Sequence, residues 1–310
     1  MSDIFENKGI KPMLIGIEGE AFDSPDYLFE LKLDGERCIA YLDENKTDLR
    51  NKRNIKLLPK VPELSEIHKQ VNCRCILDGE LAILKDGKPD FSEIQRRSLM
   101  TNSAKIDIAS KKYPACFTAF DILYYINRST TDLPLNERKE LLGKVISSET
   151  DRFAISRVIE NNGIALYDLV KSMNLEGIVA KRKNSRYYFD KRTKDWIKCK
   201  YLKEEDFVIC GYIPKSSGNS SIILGQYCSG ILKNKGHVSL SVSNEAMQKI
   251  RAQKTVLPSF QSDDSSIIWI EPNLCCTVKY MTKTKSGSLR QPVFKGIRPD
   301  KLPTDCITTS

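Results

Sequence analysis

The chain reads as an α+β protein in two parts: antiparallel sheets with helices over residues 1–202, then a smaller β-rich domain over residues 203–310. Three observations predict this. A chain of 310 residues is long for one core and suits two domains of common size. Up to Leu202, strand-like runs alternate with helix-like ones. Beyond Leu202 helical patterns become scarce, and short strands recur between Gly, Ser and Asn turns.

Taken in order, YLFELKL and RCIAYL within residues 26–42 predict two short strands joined by a turn at Asp34-Gly35. CRCILDGELAIL (73–84) predicts a strand pair that turns near Asp78-Gly79. FSEIQRRS (91–98), after Pro89-Asp90, predicts a helix. ACFTAFDILYYI (115–126) is an apolar, aromatic run suited to a buried strand. Asn136 to Ile146 predicts a helix capped by Asn136, and ALYDLVKSM (165–173) predicts another. GIVAKR (177–182) and WIKCKYL (196–202) predict strands. In the second part FVICGYI, SIILGQYC, HVSLSVS and LCCTVKY are strand-like, with one helix at NEAMQKIRAQK (244–254). Some five strands with one helix predict a small barrel of oligonucleotide-binding type, the OB-fold.

Composition narrows the class. Hydrophobic residues at 40% and charged ones at 29% are ordinary for a soluble globular chain. No apolar run approaches the ~20 residues of a membrane helix, and MSDIFENKGI lacks a signal pattern. A cytoplasmic protein with no membrane partner is expected. The ten cysteines are scattered without a CxxC pair, and His68 and His237 lie at no zinc-finger spacing. Neither a zinc site nor a disulfide framework is expected; the thiols should behave as small hydrophobes. The net charge is +9, and its distribution says more than its size. Lys181 to Lys203 holds ten Lys or Arg against Asp190 and Asp195, and Lys279 to Lys301 holds seven against Asp300. Two such runs point to nucleic acid.

The sharpest motif is Lys32-Leu33-Asp34-Gly35-Glu36-Arg37, a lysine at the end of an apolar strand with Leu31 and Leu33 beside it. An ammonium cannot attack phosphorus. Burial and nearby positive charge can lower a lysine by up to roughly 3–5 units and make it a nucleophile. Five further segments follow in order: Asp78-Gly79-Glu80, Phe120-Asp121, Leu175 to Lys181 (LEGIVAK), Trp196 to Lys200 (WIKCK) and Phe294 to Lys301 (FKGIRPDK). The series resembles the nucleotidyltransferase motifs of ATP-dependent DNA ligases, closest to the ligase module of bacterial end-joining ligases, over about Lys11 to Pro303.

The resemblance implies an adenylation domain followed by the OB-fold domain, and it implies roles. Lys32 would form the covalent bond to AMP. Arg37 would hold the ribose or the nick phosphate. Glu80 would contact the ribose and, with Glu176, hold the divalent metal, Mg²⁺ or Mn²⁺. Phe120 would stack on adenine, and Glu30, two residues before Lys32 on the same strand face, would read its edge. Lys198 and Lys200 alternate on a strand, so both point to one face, where they would grip the phosphates of ATP and AMP. Arg298 and Lys301 would reach the pyrophosphate leaving group. The family often carries a Ser-Arg pair after the first motif; here Asn51-Lys52-Arg53-Asn54 stands in its place, and Arg53 is taken as that arginine without the serine. The implied cofactors are ATP and a divalent metal. The implied partners are nicked or broken duplex DNA and a Ku-like end-binding protein, and the implied state is a monomer of the bacterial cytoplasm or nucleoid. With some 30 residues before the first motif, no extra N-terminal DNA-binding domain is expected, and residues 205–310 should close over ATP and then clamp DNA. An RNA ligase or an mRNA-capping guanylyltransferase shares KxDG, but the RPDK and EGIVAK forms favour a DNA ligase. A non-catalytic DNA-binding scaffold would have no need to retain Lys32, Glu176, Lys198 and Lys200.

Overall fold

Tyr27–Leu31 and Glu36–Leu42 are joined through residues 32–35, yet they do not pair with each other. The first lies in a five-stranded sheet, in the order Leu14–Glu18, Arg192–Lys200, Gly177–Arg182, Tyr27–Leu31, Val158–Glu160. The second lies in a seven-stranded sheet whose main path runs Thr47–Asn51, Glu36–Leu42, Cys75–Lys85, Ala115–Tyr125, Arg128–Ser129. Lys32 and Arg37 therefore end up on different sheets. The computed structural model describes residues 3–215, 218–241, 243–284 and 287–308, and the chain divides into two compact units, Met1–Tyr201 and Leu202–Ser310.

Period-two alternation explains how the sheets of the first unit stack. In Glu36–Leu42, Cys38, Ala40 and Leu42 enter one core with Leu142 and Val145 of the helix Leu135–Val145. Ile39 and Tyr41 enter another, with Val179 and Trp196 of the five-stranded sheet. A strand buried on both faces reads as a continuous apolar run, which is why this segment shows no polar alternation. The far face of the five-stranded sheet carries Phe29, Ile178, Ala180 and Cys199, covered by Val170 and Leu166 of the helix Gly163–Ser172.

Two local expectations are corrected. Residues 73–84 do not turn at Asp78-Gly79; Cys75–Lys85 is one strand, paired along its length with Glu36–Leu42 and Ala115–Tyr125. Gly79 serves close packing there. A Cβ at that position would lie 2.5 Å from the Phe117 ring and from the Thr118 carbonyl oxygen, a contact only glycine avoids. The helix expected from a cap at Asn136 starts at Leu135, with Pro134 at the N-cap and no side-chain cap bond. The helix at residues 91–98 is present as Phe91–Leu99, with Asp90 accepting from the Glu93 N–H. Leu14–Glu18, Thr47–Asn51 and the helix Ser103–Lys112 were not foreseen.

The second unit is a curled antiparallel sheet of five strands, ordered Ile231–Ser241, Asn219–Cys228, Lys203–Pro214, Ile268–Tyr280, Val293–Ile297. Irregularities between Ile209 and Gly211 and between Ile223 and Gly225 bend it. Phe207, Ile222, Leu224 and Val238 fill its concave core together with Met247 and Ile250 of the helix Glu245–Arg251, which Asn244 caps.

Candidate active site

Register places the charged residues of the five-stranded sheet in one row. Val179 stands opposite both Glu30 and Lys198, and Lys198 stands beside Glu18. The Lys32 N–H continues the ladder by donating to the Gly177 carbonyl at 2.9 Å. By period two, Glu18, Glu30, Lys32, Lys198 and Lys200 share the face turned toward the seven-stranded sheet. Gly177 holds this edge at φ 150°, where a Cβ would lie 2.2 Å from the Cys199 carbonyl oxygen. No other residue fits between Glu176 and the strand.

Lys32 Nζ lies 2.8 Å from Glu176 Oε1, with the lysine side chain 22% exposed and the glutamate 5%. Leu31 beside it is 38% exposed, so apolar bulk surrounds the amine less than the sequence suggests. Lys198 and Lys200 both pair with Glu18, at 3.1 and 3.4 Å. Burial pushes the Glu18 carboxyl up, but the two lysines outweigh it and hold it below its ordinary value.

The seven-stranded sheet forms the opposite wall. Arg37 donates through Nε and Nη2 to the two Asp78 oxygens, each at 2.5 Å. Its guanidinium stands 4.6 Å from the centroid of Phe120. Burial works against the charge of Arg37, and Asp78 more than restores it. Glu80 faces Arg37 across the strand pair. Burial pushes the Glu80 carboxyl up to about 8; Arg37 and Lys32 pull it down, while Glu176 and Asp78 push it further up. Glu80 and Lys32 line the same pocket, and Glu176 is joined to Lys32.

A pocket opens between the walls, lined by Glu30, Lys32, Arg37, Glu80, Phe120 and Lys181, among others. Glu30 is buried at its end, 2.6 Å from Lys139 Nζ and 2.9 Å from Lys181 Nζ. Burial pushes Glu30 up, but Lys139 and Lys181 outweigh it and keep it ionised below the usual range. Burial lowers Lys181 to about 8 despite Glu30, and Lys181 lies over Phe120 at 4.2 Å and Trp196 at 4.5 Å. Sequence reasoning missed Glu18, Lys139 and Ser156, which also lines the pocket, and assigned Lys181 no role. Lys139 comes from a helix distant in sequence, and Glu18 from a strand whose parallel pairing no local pattern announces.

The remaining expected residues lie elsewhere. Arg53 does not line this pocket. It is exposed on the rim of an adjoining cavity that shares Arg37 and Glu80 with it. Arg298 and Lys301 belong to the second unit, where both pair with Asp206 at 3.4 Å; Arg298 also donates to Asp300 at 2.9 and 2.7 Å. Among the described residues no three His, Cys, Asp or Glu side chains form a metal cage. Of the carboxyls at Lys32, Glu176 is bonded to it and Glu80 lines the same pocket as Lys32.

Charged side chains from both sheets, Lys32 among them, and the aromatic ring of Phe120 line one pocket. Residues 16–200 match the ATP dependent DNA ligase domain, and residues 215–301 match the ATP dependent DNA ligase C terminal region. The chain belongs to the ATP-dependent DNA ligases and is a DNA ligase that uses ATP. It is 30% identical over 290 residues to the SPbeta prophage-derived DNA ligase-like protein LigB of Bacillus subtilis, covering 93% of this chain and 99% of that one. It is 26% identical over 320 residues to the multifunctional non-homologous end joining DNA repair protein LigD of Mycobacterium tuberculosis; 98% of this chain is matched, but it spans only 40% of that protein. Among solved structures it resembles a mycobacterial DNA ligase D complexed with ATP and MES, at a TM-score of 0.56 and 25% identity, over 96% of this chain and 98% of that one. A Lig E DNA ligase, described as binding DNA with a minimal scaffold, shares the fold at a TM-score of 0.60 and 17% identity, over 92% of this chain and 100% of that one.

Proposed function

We propose that Lys32 carries AMP and that the protein uses it to seal nicks and breaks in duplex DNA during repair or end joining. The observation that carries this reading is that Lys32 lines one pocket together with Glu30, Phe120, Arg37 and Glu80. Lys32 Nζ attacks the α-phosphorus of ATP. A phosphorus–nitrogen bond forms, the bond to the β-phosphate oxygen breaks, and pyrophosphate leaves as the amine gives up a proton. A 5′-phosphate oxygen of DNA then attacks that phosphorus, the phosphorus–nitrogen bond breaks, and Lys32 recovers its proton. The 3′-hydroxyl finally attacks the DNA phosphate, loses its proton and releases AMP.

Each residue serves these transfers. Lys32 must part from Glu176 before it can attack, since the 2.8 Å salt bridge engages the nitrogen. Glu30, fixed by Lys139 and Lys181, presents a carboxylate to the base edge, and Phe120 offers its ring. Arg37 and Glu80 take the ribose side. Lys198 and Lys200 exchange Glu18 for phosphate oxygens, and Arg53 on the adjoining rim takes a DNA phosphate. Arg298 and Lys301 leave Asp206 to meet the departing pyrophosphate. Glu80 and Glu176 fit a cation of the Mg²⁺ type, which keeps most of its waters and is held by one or two carboxylates with substrate phosphates. When bound, it would neutralise charge on the phosphates. We read the curled second unit as an OB-type barrel, and the protein as a monomer of the bacterial cytoplasm. The end-joining name of its mycobacterial relative supports work at broken ends, and a Ku-like end-binding protein is the partner we propose for it.

A duplex with one 3′-hydroxyl/5′-phosphate nick tests the reading. Sealing with ATP on DNA is expected. Preference for GTP, or for nicks in RNA, would favour the guanylyltransferase or RNA ligase alternative and overturn it.

A further inference from the structure

Three side chains, Glu36, Asn51 and Ser98, tie the start of the strand Glu36–Leu42, just after the Lys32 loop, to the turn that carries Arg53. Glu36 stands between Gly35 and Arg37, and both its carboxyl oxygens are engaged. Oε1 accepts from Asn51 Nδ2 at 3.1 Å, and Oε2 accepts from Ser98 Oγ of the helix Phe91–Leu99. Asn51 closes the turn in its own right. Its Oδ1 accepts the N–H of Arg53 at 3.0 Å and of Ile55 at 3.1 Å, and its own N–H donates to the Ile55 carbonyl at 3.0 Å. Asn54 completes the turn at φ 62°. Lys52 and Arg53 are exposed on this turn and make no ion pair among the described residues. The cavity they border is also lined by Gly35, Arg37 and Glu80. Two exposed cations, without an ion pair among the described residues, thus stand on a turn that side-chain hydrogen bonds fasten to the start of the strand Glu36–Leu42, directly after the Lys32 loop.

The geometry points to Glu36, acting through Asn51, as the positioning residue that holds Arg53 at a set distance from Lys32, so that the DNA 5′-phosphate is presented to AMP on the lysine. The inference rests on the reading of Arg53 as a phosphate contact. Glu36 touches no reacting atom; Asn51 and Ser98 spend both its oxygens on the bracket. Alignment of this kind matters because a misplacement of about 1 Å can cost about 10²-fold in rate.

The test separates nucleotide chemistry from DNA chemistry. Glu36→Ala and Asn51→Ala should charge Lys32 from ATP at close to the wild-type rate, with little change in thermal midpoint. Single-turnover transfer of AMP from the charged protein to nicked DNA should fall by roughly tenfold or more. The slope of log affinity against log salt should lose about 0.9, one phosphate contact. Arg53→Ala should lose the same increment of slope, and Asn51→Ala/Arg53→Ala should lose no more than either alone. Glu36→Gln, whose oxygen still accepts from Asn51 and whose amide can donate to Ser98 Oγ, should restore transfer. If Arg53→Ala changes neither slope nor transfer, the phosphate reading itself fails. If Arg53→Ala is impaired while Glu36→Ala and Asn51→Ala transfer like wild type, the positioning role is wrong. A parallel fall in charging and transfer with a lowered thermal midpoint would assign these residues to stability alone and would equally overturn it.

Discussion

Replacing Glu80 with Gln should change how stability depends on pH, in a direction the site dictates. Burial is the main force lifting the Glu80 carboxyl from its ordinary 4.5 to about 8. Between those values the unfolded chain has released the proton and the folded protein keeps it. The unfolded state therefore binds fewer protons, and stability falls as pH rises through this window. The contribution is whole below pH 4.5 and lost by about pH 8. A displacement of this size corresponds to at most about 5 kcal/mol, and water reaching the partly exposed carboxyl should reduce it to a few. Glu80→Gln has no proton to lose. Its stability should hold across the window, and its advantage over wild type should grow from near zero at pH 4.5 to roughly 2–4 kcal/mol at pH 8. Urea unfolding at fixed ionic strength in chelator, from pH 4.5 to 9, measures this difference. Repeating it with millimolar Mg²⁺ at pH 8 should narrow the gap, because a cation that binds the ionised carboxylate stabilises only the wild type. Parallel curves for the two proteins across the window would refute the account of Glu80.

Three further outcomes follow from the same structure. Arg138 and Asp121 are both fully buried and joined at 2.7 and 2.9 Å; Arg138→Ala strands the carboxylate and should cost about 3–5 kcal/mol in urea unfolding. Gly79→Ala, with no room beside Phe117, should cost about 1–3 kcal/mol or more by the same measurement. Lys198→Ala should slow charging of Lys32 by ATP by roughly 10²-fold in a quenched-flow assay while leaving the unfolding midpoint nearly unchanged, as expected when one donor to a developing phosphate charge is removed.

What could be read in advance depended on how local the signal was. Lys198 and Lys200 could be placed on one face because a strand repeats every two residues, and Glu18 now shows which face that is. Asp78-Gly79 was misread because Asp-Gly is a turn signal when only neighbours in sequence are considered. The glycine answers to a ring on the adjacent strand, a reason visible only in three dimensions. Asn136 was misread in the same way: a good capping residue sits one place inside a helix that starts without a side-chain cap. The charge on Glu30 depends on Lys139 and Lys181, which come from separate elements. The motif order showed that Lys181 lay near the site, but no spacing rule connects Lys139 to it. Arg53 could be picked out in the sequence as the counterpart of the family's arginine, but the tie of its turn through Asn51 to Glu36, which Ser98 also holds, required the fold.

The most direct measurement is covalent. The protein, incubated with α-labelled ATP and a divalent metal, should take up one label in acid-labile, alkali-stable form, and peptide mapping should place it on Lys32. Lys32→Ala should take up none, and nicked DNA added without further ATP should draw the label off the wild type onto a 5′-phosphate. Label on another residue, or equal labelling of Lys32→Ala, would contradict the assignment of this amine as the carrier of AMP.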